Sequence, residues 1–177
     1  MISYLEDPII NVIINGIKKP IELLYSNECY SAALIVIFSS IDTMSNLNRP
    51  KNKDYGTRND FKEWLEEYFH LEGDTQISTS EWYAARCSIL HSMAAVGQRH
   101  KEENLRSIGW FLRNRQNSII YDKSKPNLIM VNLISFKDAF ISAMDGFLID
   151  VFKEENEKYA LVNERLKELY HTYHEFN

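Results

Sequence analysis

Residues 78–93 read STSEWYAARCSILHSM, and this stretch carries the clearest local structural signal of the chain. Ser78 and Glu81 have the S-x-x-E spacing of a capping box, in which each side chain bonds the backbone N–H of the other residue at a helix start. Apolar residues then recur at helical spacing. The stretch therefore predicts a helix that begins after Ser78 and is terminated by Gly97.

Apolar residues at helical spacing predict further helices on both sides of this stretch. Pro8 suits the first turn of a helix. The run LIVIF at residues 34–38 could also form a strand, but its pattern extends beyond the usual strand length, which favours a buried helix. The predicted helices cover residues 8–25, a segment from a cap at Ser26-Asn27 to residue 47, residues 59–71 ended by Gly73, a segment capped by Ser135 through residue 152, and a final segment from 158 onward that includes Leu169, Tyr170 and Tyr173.

Three short β-prone runs lie between these helices, at residues 108–112, 118–121 and 128–133. Residues 122–127, with Pro126, join the last two runs and predict a hairpin. The sequence thus predicts a mainly α fold, an antiparallel bundle of five to six helices with a small β-hairpin insertion. The predicted number is five or six because the last two helical segments can form either one continuous helix or two separate ones.

A chain of 177 residues is expected to form one domain, with residues 105–133 as a β-prone insertion and residues 135–177 as C-terminal helices. Cys29 and Cys87 lie in apolar helical patterns, where a free thiol is a small buried hydrophobe, which favours a reducing compartment. The longest apolar run, residues 32–38, is too short to cross a bilayer. Together with an N-terminus that lacks the features of a secretory signal, these observations predict a cytoplasmic protein without a membrane partner.

The charges are unevenly distributed along the chain, whose net charge is −5. Residues 86–125 contain eight basic and three acidic residues, whereas residues 138–177 contain four basic and nine acidic ones. A polyanion would be attracted to the middle of the chain and repelled by its end. An uneven surface charge without a function explains the same counts.

Arg86 and His91 stand five residues apart on the predicted helix, in an R-x4-H pattern. At 100° per residue their side chains leave the helix about 140° apart, so the long arginine must reach towards the histidine to share a ligand. The pair interrupts an apolar part of the helix and opens the basic segment. No dinucleotide-binding, P-loop or zinc-protease motif is present, so neither a cofactor nor a metal is expected.

The string YAARCSILHS at residues 83–92 resembles the HEPN superfamily, a group of helical bundles recognised by an R-x4-6-H motif. The resemblance covers residues 8–97 in helix order, and the preceding helix, with Ser39, Ser40 and Asp42, is also similar. Several of these families are metal-independent endoribonucleases that act as symmetric dimers. Others are inactive modules that bind nucleotides or RNA.

The resemblance implies an endoribonuclease that works as a homodimer on RNA, as a toxin of a toxin–antitoxin system or in phage defence, with an antitoxin or another protein as a further partner. His91 would move a proton and Arg86 would stabilise the charged phosphorane. Asp42 would orient Arg86. Cys87, Ser88 and Ser92 would support the site or bind the substrate. Cys87 departs from the family pattern, because active members often carry Asn, Asp or His directly after the arginine.

Other interpretations of these residues stay open. The protein can be a catalytically inactive module that binds RNA, nucleotide or protein, or a helical scaffolding domain that docks a partner through its acidic end. His171, His174 and Glu175 form half of a metal site at most, at a chain end that is expected to fray. Cys87 and His91 have the spacing of a nucleophile and its base, but no orienting third group follows from the sequence.

Overall fold

The computed structural model describes residues 7–73, 77–93, 97–112, 117–153 and 157–169. They form a mainly helical fold with a small three-stranded sheet, which confirms the predicted class. In chain order the helices are α1 (Pro8–Ile10), a π-helical segment (Asn11–Lys18), α2 (Lys19–Ser26), α3 (Tyr30–Asn48), α4 (Arg58–Tyr68), α5 (Thr79–Ser92), α6 (Gln98–Glu102), α7 (Leu133–Val151) and α8 (Lys158–Leu169). The strands are β1 (Ser107–Phe111), β2 (Ile119–Tyr121) and β3 (Leu128–Asn132).

The first three helical segments follow one another without a break. Counted as one, they give seven separate helices in the described ranges, one more than the upper number predicted. The additional helix is α6, whose sequence QRHKE contains no apolar stripe that could have indicated it.

The N-terminal helical segment buries one apolar stripe. The carboxylate of Asp7 caps it by accepting hydrogen bonds from the first backbone N–H groups, and Pro8 occupies its first turn as predicted. Between Asn11 and Lys18 the backbone widens to the π-helical pattern. The stripe faces the core through Ile9, Ile13, Ile17 and Ile21.

Helix α3 begins at Tyr30, so the predicted cap at Ser26-Asn27 is wrong. Both side chains donate to the carbonyl of Leu23, at 2.9 and 2.8 Å, and thereby close α2 instead of opening α3. Cys29, predicted to be buried, is exposed at the start of α3. Residues 34–38 are helical, as favoured from their pattern.

Capping boxes start both α4 and α5. The predicted box of α5 is confirmed: the carboxylate of Glu81 accepts a hydrogen bond from the backbone N–H of Ser78 at 2.8 Å, and the serine hydroxyl accepts one from Glu81. Thr57 and Asp60 form the equivalent box of α4. This second box places the start of α4 at Arg58, one residue before the predicted start.

Neither glycine predicted to end these helices does so. Helix α4 ends at Tyr68, and the next residue, Phe69, is extended and buried in the core. Gly73 lies in a later turn, with a φ of +79°. Helix α5 ends one residue before Met93, whose φ of 52° is left-handed. Gly97 instead stands directly before α6 as its N-cap residue.

The sheet has the order β1-β3-β2. The antiparallel pairing of β2 with β3 confirms the predicted hairpin. Strand β1 pairs parallel with β3, from Ser107 opposite Leu128 to Phe111 opposite Asn132. A parallel pair has no tight turn between its strands, so local sequence indicated β1 as a strand but not its partner.

Helix α7 follows β3 directly, because the side chain of Asn132 caps it by accepting hydrogen bonds from the backbone N–H groups of Ile134 and Ser135. The predicted cap at Ser135 is therefore wrong. Helices α7 and α8 are separate, since residues 152, 153 and 157 are not helical. Tyr170 and Tyr173 lie outside the described residues.

An aromatic cluster fixes α5 against the rest of the core. The ring of Phe136 in α7 is 1% exposed and lies with its centroid 4.9 to 5.5 Å from four other aromatic rings, those of Phe38, Phe69, Trp82 and Trp110. These rings come from α3, the residue directly after α4, α5 and β1. Helix α5 is thereby held at a fixed place between α3 and the sheet.

No helix within the described ranges combines the length and the apolarity that crossing a bilayer requires. The longest apolar run, residues 32–38, belongs to α3, where Ile37 and Phe38 are fully buried in the protein core.

Candidate functional site

Helix α5 presents both motif residues to one cleft, which we call the motif cleft. Arg86 is half-buried, and His91 is exposed in the last turn of the helix. The cleft has a volume of about 480 Å³ and is lined by Tyr83, Arg86, Cys87, Ser88, His91, Ser92, Gly97, Gln98 and Arg99. The described residues of its lining include two arginines and no carboxylate, so it favours an anion.

Asp42 of α3 holds the guanidinium of Arg86. The Nε atom of Arg86 donates to both carboxylate oxygens, at 3.1 and 2.8 Å, and its Nη2 atom donates to Oδ2. Burial raises the pKa of the Asp42 carboxyl, and the hydrogen bonds from Arg86 oppose that rise. The same carboxylate raises the pKa of Arg86 despite its burial, so the guanidinium stays charged. The ion pair predicted across these two helices is present.

The position of His91 leaves its imidazole accessible. The residue stands in the last turn of α5, and its side chain is exposed. A ligand in the motif cleft can meet His91 and the partly exposed edge of Arg86 together.

Two of the three supporting residues are already bonded within the helix. The hydroxyl of Ser88 is buried and donates to the carbonyl of Ala84 at 3.0 Å, and Ser92 donates to the carbonyl of Ser88 at 3.1 Å. Cys87 lies with its Sγ atom 3.9 Å from Nη1 of Arg86. The thiol therefore contacts the guanidinium directly.

The ring of Tyr83 gathers three arginines. The guanidinium carbons of Arg58, Arg86 and Arg99 lie 5.1, 5.8 and 5.2 Å from its centroid, within cation–π range. Phe61 supports the ring edge-on, at 5.3 Å between centroids. In the sequence, Arg99 stands out only as part of the basic segment and Arg58 not at all, because these residues come from α6 and α4 and meet only in the folded chain.

A second cleft, of about 590 Å³, lies on the other side of Tyr83 and Arg86, which line both clefts. Its walls come from α3, the loop before α4 and α8. Unlike the motif cleft, it mixes charges of both signs, with Asp42, Asp54 and Glu168 against Arg49, Arg58 and Arg86. Arg86 therefore stands at the boundary of two clefts of different electrostatic character.

A buried histidine lies directly behind the motif cleft. The Nδ1 atom of His100 accepts a hydrogen bond from the backbone N–H of Gly97 at 3.1 Å and lies 3.4 Å from the hydroxyl of Ser88. Because Nδ1 is an acceptor, the neutral ring carries its hydrogen on Nε2, which has no partner among the described residues. Burial lowers the pKa of His100, so the ring stays neutral.

The described residues contain no group of three or more side chains that could hold a metal ion. His171, His174 and Glu175, the weak candidate from the sequence, lie outside the described residues.

The site thus combines an arginine fixed by a carboxylate, an accessible histidine and a ring surrounded by guanidinium groups. No protein-family model, curated protein or solved structure matches the chain.

Proposed function

We propose that the protein is a metal-independent endoribonuclease of the HEPN type, with Arg86 and His91 as its catalytic residues. One observation carries the proposal: both side chains line the same cleft, to which no described residue contributes a carboxylate, and Asp42 fixes the guanidinium from outside that cleft. An RNA phosphate fits such a cleft, because guanidinium binds phosphate oxygens with a planar fork.

The reaction is a transesterification at phosphorus. The ribose 2′-oxygen attacks the adjacent phosphorus, loses its proton to an imidazole and forms a P–O bond, while the bond to the 5′-oxygen breaks and that oxygen gains a proton. Products are a 2′,3′-cyclic phosphate and a 5′-hydroxyl. Histidine titrates near neutral pH and suits both proton transfers, and arginine offsets the charge of the phosphorane.

A symmetric homodimer belongs to this proposal. One His91 would take the proton of the 2′-hydroxyl and the His91 of the partner subunit would protonate the leaving oxygen. The exposure of His91 at the end of α5 supports this arrangement, since a second copy can approach it. An antiparallel helical bundle is also part of the proposal, supported by the contacts of α3 with α2, α4, α5, α7 and α8.

The biological setting proposed is that of a toxin, in a toxin–antitoxin system or in phage defence, with an antitoxin as protein partner. The basic segment around the motif favours contact with RNA, while the excess of acidic residues from residue 138 onward favours a basic protein partner.

The test is RNA cleavage in excess EDTA. We expect cleavage that survives the chelator and falls by at least about a hundredfold in His91→Ala, the scale of a lost general acid or base. His70→Ala is the matched control, because His70 is also exposed but lies on the segment after α4. Cleavage that EDTA abolishes, or that His91→Ala and His70→Ala lower equally, would contradict the proposal.

An RNA-binding module without cleavage is the second candidate, favoured by two observations. Asp42 already neutralises Arg86, and Cys87 occupies the position where active members of the superfamily often carry a polar or charged residue. For this candidate, RNA binding survives His91→Ala and fails with Arg86→Ala, and no cleavage products form.

A further inference from the structure

Two arginines of the Tyr83 cluster share one carboxylate. Arg58 of α4 donates to both oxygens of Glu103, with Nη1 at 2.6 Å from Oε1, and Arg99 of α6 donates to Oε1 at 3.3 Å. Glu103 lies directly after α6, so this one carboxylate joins two helices that are distant in sequence.

The charges of this cluster are not balanced. Two guanidinium groups face a single carboxylate, which leaves one positive charge, whereas Arg86 is matched one-to-one by Asp42. The side chains of Arg58, Arg99 and Glu103 are 29%, 40% and 30% exposed, so solvent and ligands reach all three.

Glu81 provides a contrast within the same protein. Its carboxylate also binds an arginine, Arg106, but it is only 6% exposed and accepts further hydrogen bonds from the capping box of α5. Among its described contacts, the carboxylate of Glu103 accepts no hydrogen bond from a backbone N–H group. An anion that replaces Glu103 on the two arginines would therefore break hydrogen bonds to side chains and none to the backbone among its described contacts.

The positions of the three arginines around Tyr83 favour a chain of phosphates as this anion. Tyr83 and Arg86 line both clefts, Arg99 lines the motif cleft and Arg58 lines the second cleft. A chain of phosphates that enters the motif cleft and crosses Tyr83 would meet all three arginines in turn. Carboxylate and phosphate both accept paired hydrogen bonds from guanidinium, so one can replace the other.

We infer that Glu103 occupies, in the free protein, the place of an RNA phosphate, and that Arg58 and Arg99 form a phosphate subsite next to the phosphate held by Arg86. This inference rests on the proposed function for its choice of RNA as the ligand. It assigns Arg58 and Arg99 to substrate binding and makes Glu103 an internal competitor of the RNA backbone.

The alternative role of Glu103 is that of a structural link between α4 and α6. The two roles predict opposite effects of Glu103→Gln. A competitor that loses its charge lets RNA bind more tightly, whereas a lost link leaves the arginines misplaced and weakens both binding and folding.

The experiment measures binding of a fluorescent single-stranded RNA oligonucleotide over a series of salt concentrations, in the His91→Ala background so that no cleavage interferes. Glu102→Gln is the matched control, because it removes the same charge one position away, where the side chain bonds Gln98 instead of an arginine. Thermal melting of each variant reports whether the fold is retained.

We expect Glu103→Gln to lower the Kd about two- to fivefold relative to Glu102→Gln, the scale of one exposed ion pair. The slope of log K against log salt should steepen by about 0.7, as for one additional phosphate contact on a single strand. Arg99→Ala should raise the Kd and make the slope shallower. Equal affinities of the two glutamine variants, or weaker binding by Glu103→Gln, would overturn the inference.

The outcome is separable from that of the proposed function. If no cleavage is found but Glu103→Gln still tightens binding, the subsite stands and the nuclease proposal fails. If cleavage depends on His91 but Glu103→Gln changes neither affinity nor slope, the nuclease proposal stands and the subsite fails.

Discussion

The Arg86–Asp42 pair should contribute about 2 kcal/mol of coupling energy to folding. Three hydrogen bonds join the two side chains in a forked geometry, and the side chains are 21% and 31% exposed. Exposed ion pairs contribute about 0.2 to 1 kcal/mol, and breaking a buried pair costs about 3 to 5 kcal/mol. This pair lies between the two limits, because both side chains are partly exposed.

A double-mutant cycle measures the coupling. Asp42→Ala, Arg86→Ala and the double variant are unfolded in urea beside the parent protein, and the free energies of unfolding are combined. The cycle isolates the pair, since the loss of each side chain by itself cancels.

Lys18 and Asp145 provide a control pair in the same chain. The Nζ atom of Lys18 lies 3.2 and 3.3 Å from the two carboxylate oxygens of Asp145, and the side chains are 25% and 48% exposed. Their coupling should stay below about 1 kcal/mol. A coupling for Arg86 and Asp42 no larger than that of this pair would refute the view that Asp42 fixes the guanidinium.

Three further predictions concern the core and the region behind the motif cleft. Phe136→Ala should lower the free energy of unfolding by about 3 to 5 kcal/mol, because its ring is buried among four others; a loss below about 1 kcal/mol in urea unfolding would contradict this. Since burial lowers the pKa of His100, stability should fall as the pH drops through about 6.5, the unfolded value, towards the folded pKa. His100→Asn, which keeps an acceptor for the N–H of Gly97, should flatten this dependence in thermal melts from pH 7 to 5, and parallel curves would count against it. Gly97→Ala should destabilise the protein by about 1 to 3 kcal/mol, because its Cβ atom would lie 2.5 Å from the hydroxyl oxygen of Ser88, and adding Ser88→Ala should restore most of the loss.

The start of α5 is a feature that local sequence predicts correctly. The capping box of Ser78 and Glu81 was predictable because both partners lie three residues apart and depend on no other part of the chain. The start of α7 was predicted wrongly for a related reason. Ser135 also has the local pattern of a helix cap. Asn132 is the cap in the structure because β3 ends at that residue and the helix begins directly after it.

The motif itself was visible in the sequence, and so was Asp42 as a partner for Arg86. The surroundings of the motif were not. Arg58 and Arg99 stand 41 residues apart in the printed numbering, and neither belongs to a pattern with Tyr83. No periodicity relates residues whose only connection is that α4, α5 and α6 pack together.

The amino-acid sequence by itself indicated every helix of the described ranges except α6, and the hairpin, because helical periodicity and short turns depend on neighbours within a few positions. The two candidate catalytic residues followed from the resemblance of their motif to a known family. Only the tertiary structure decided that β1 joins β3, that Tyr83 separates two clefts, and that Glu103 stands between two arginines. Such contacts depend on how several elements pack at once, and no local interaction fixes that packing.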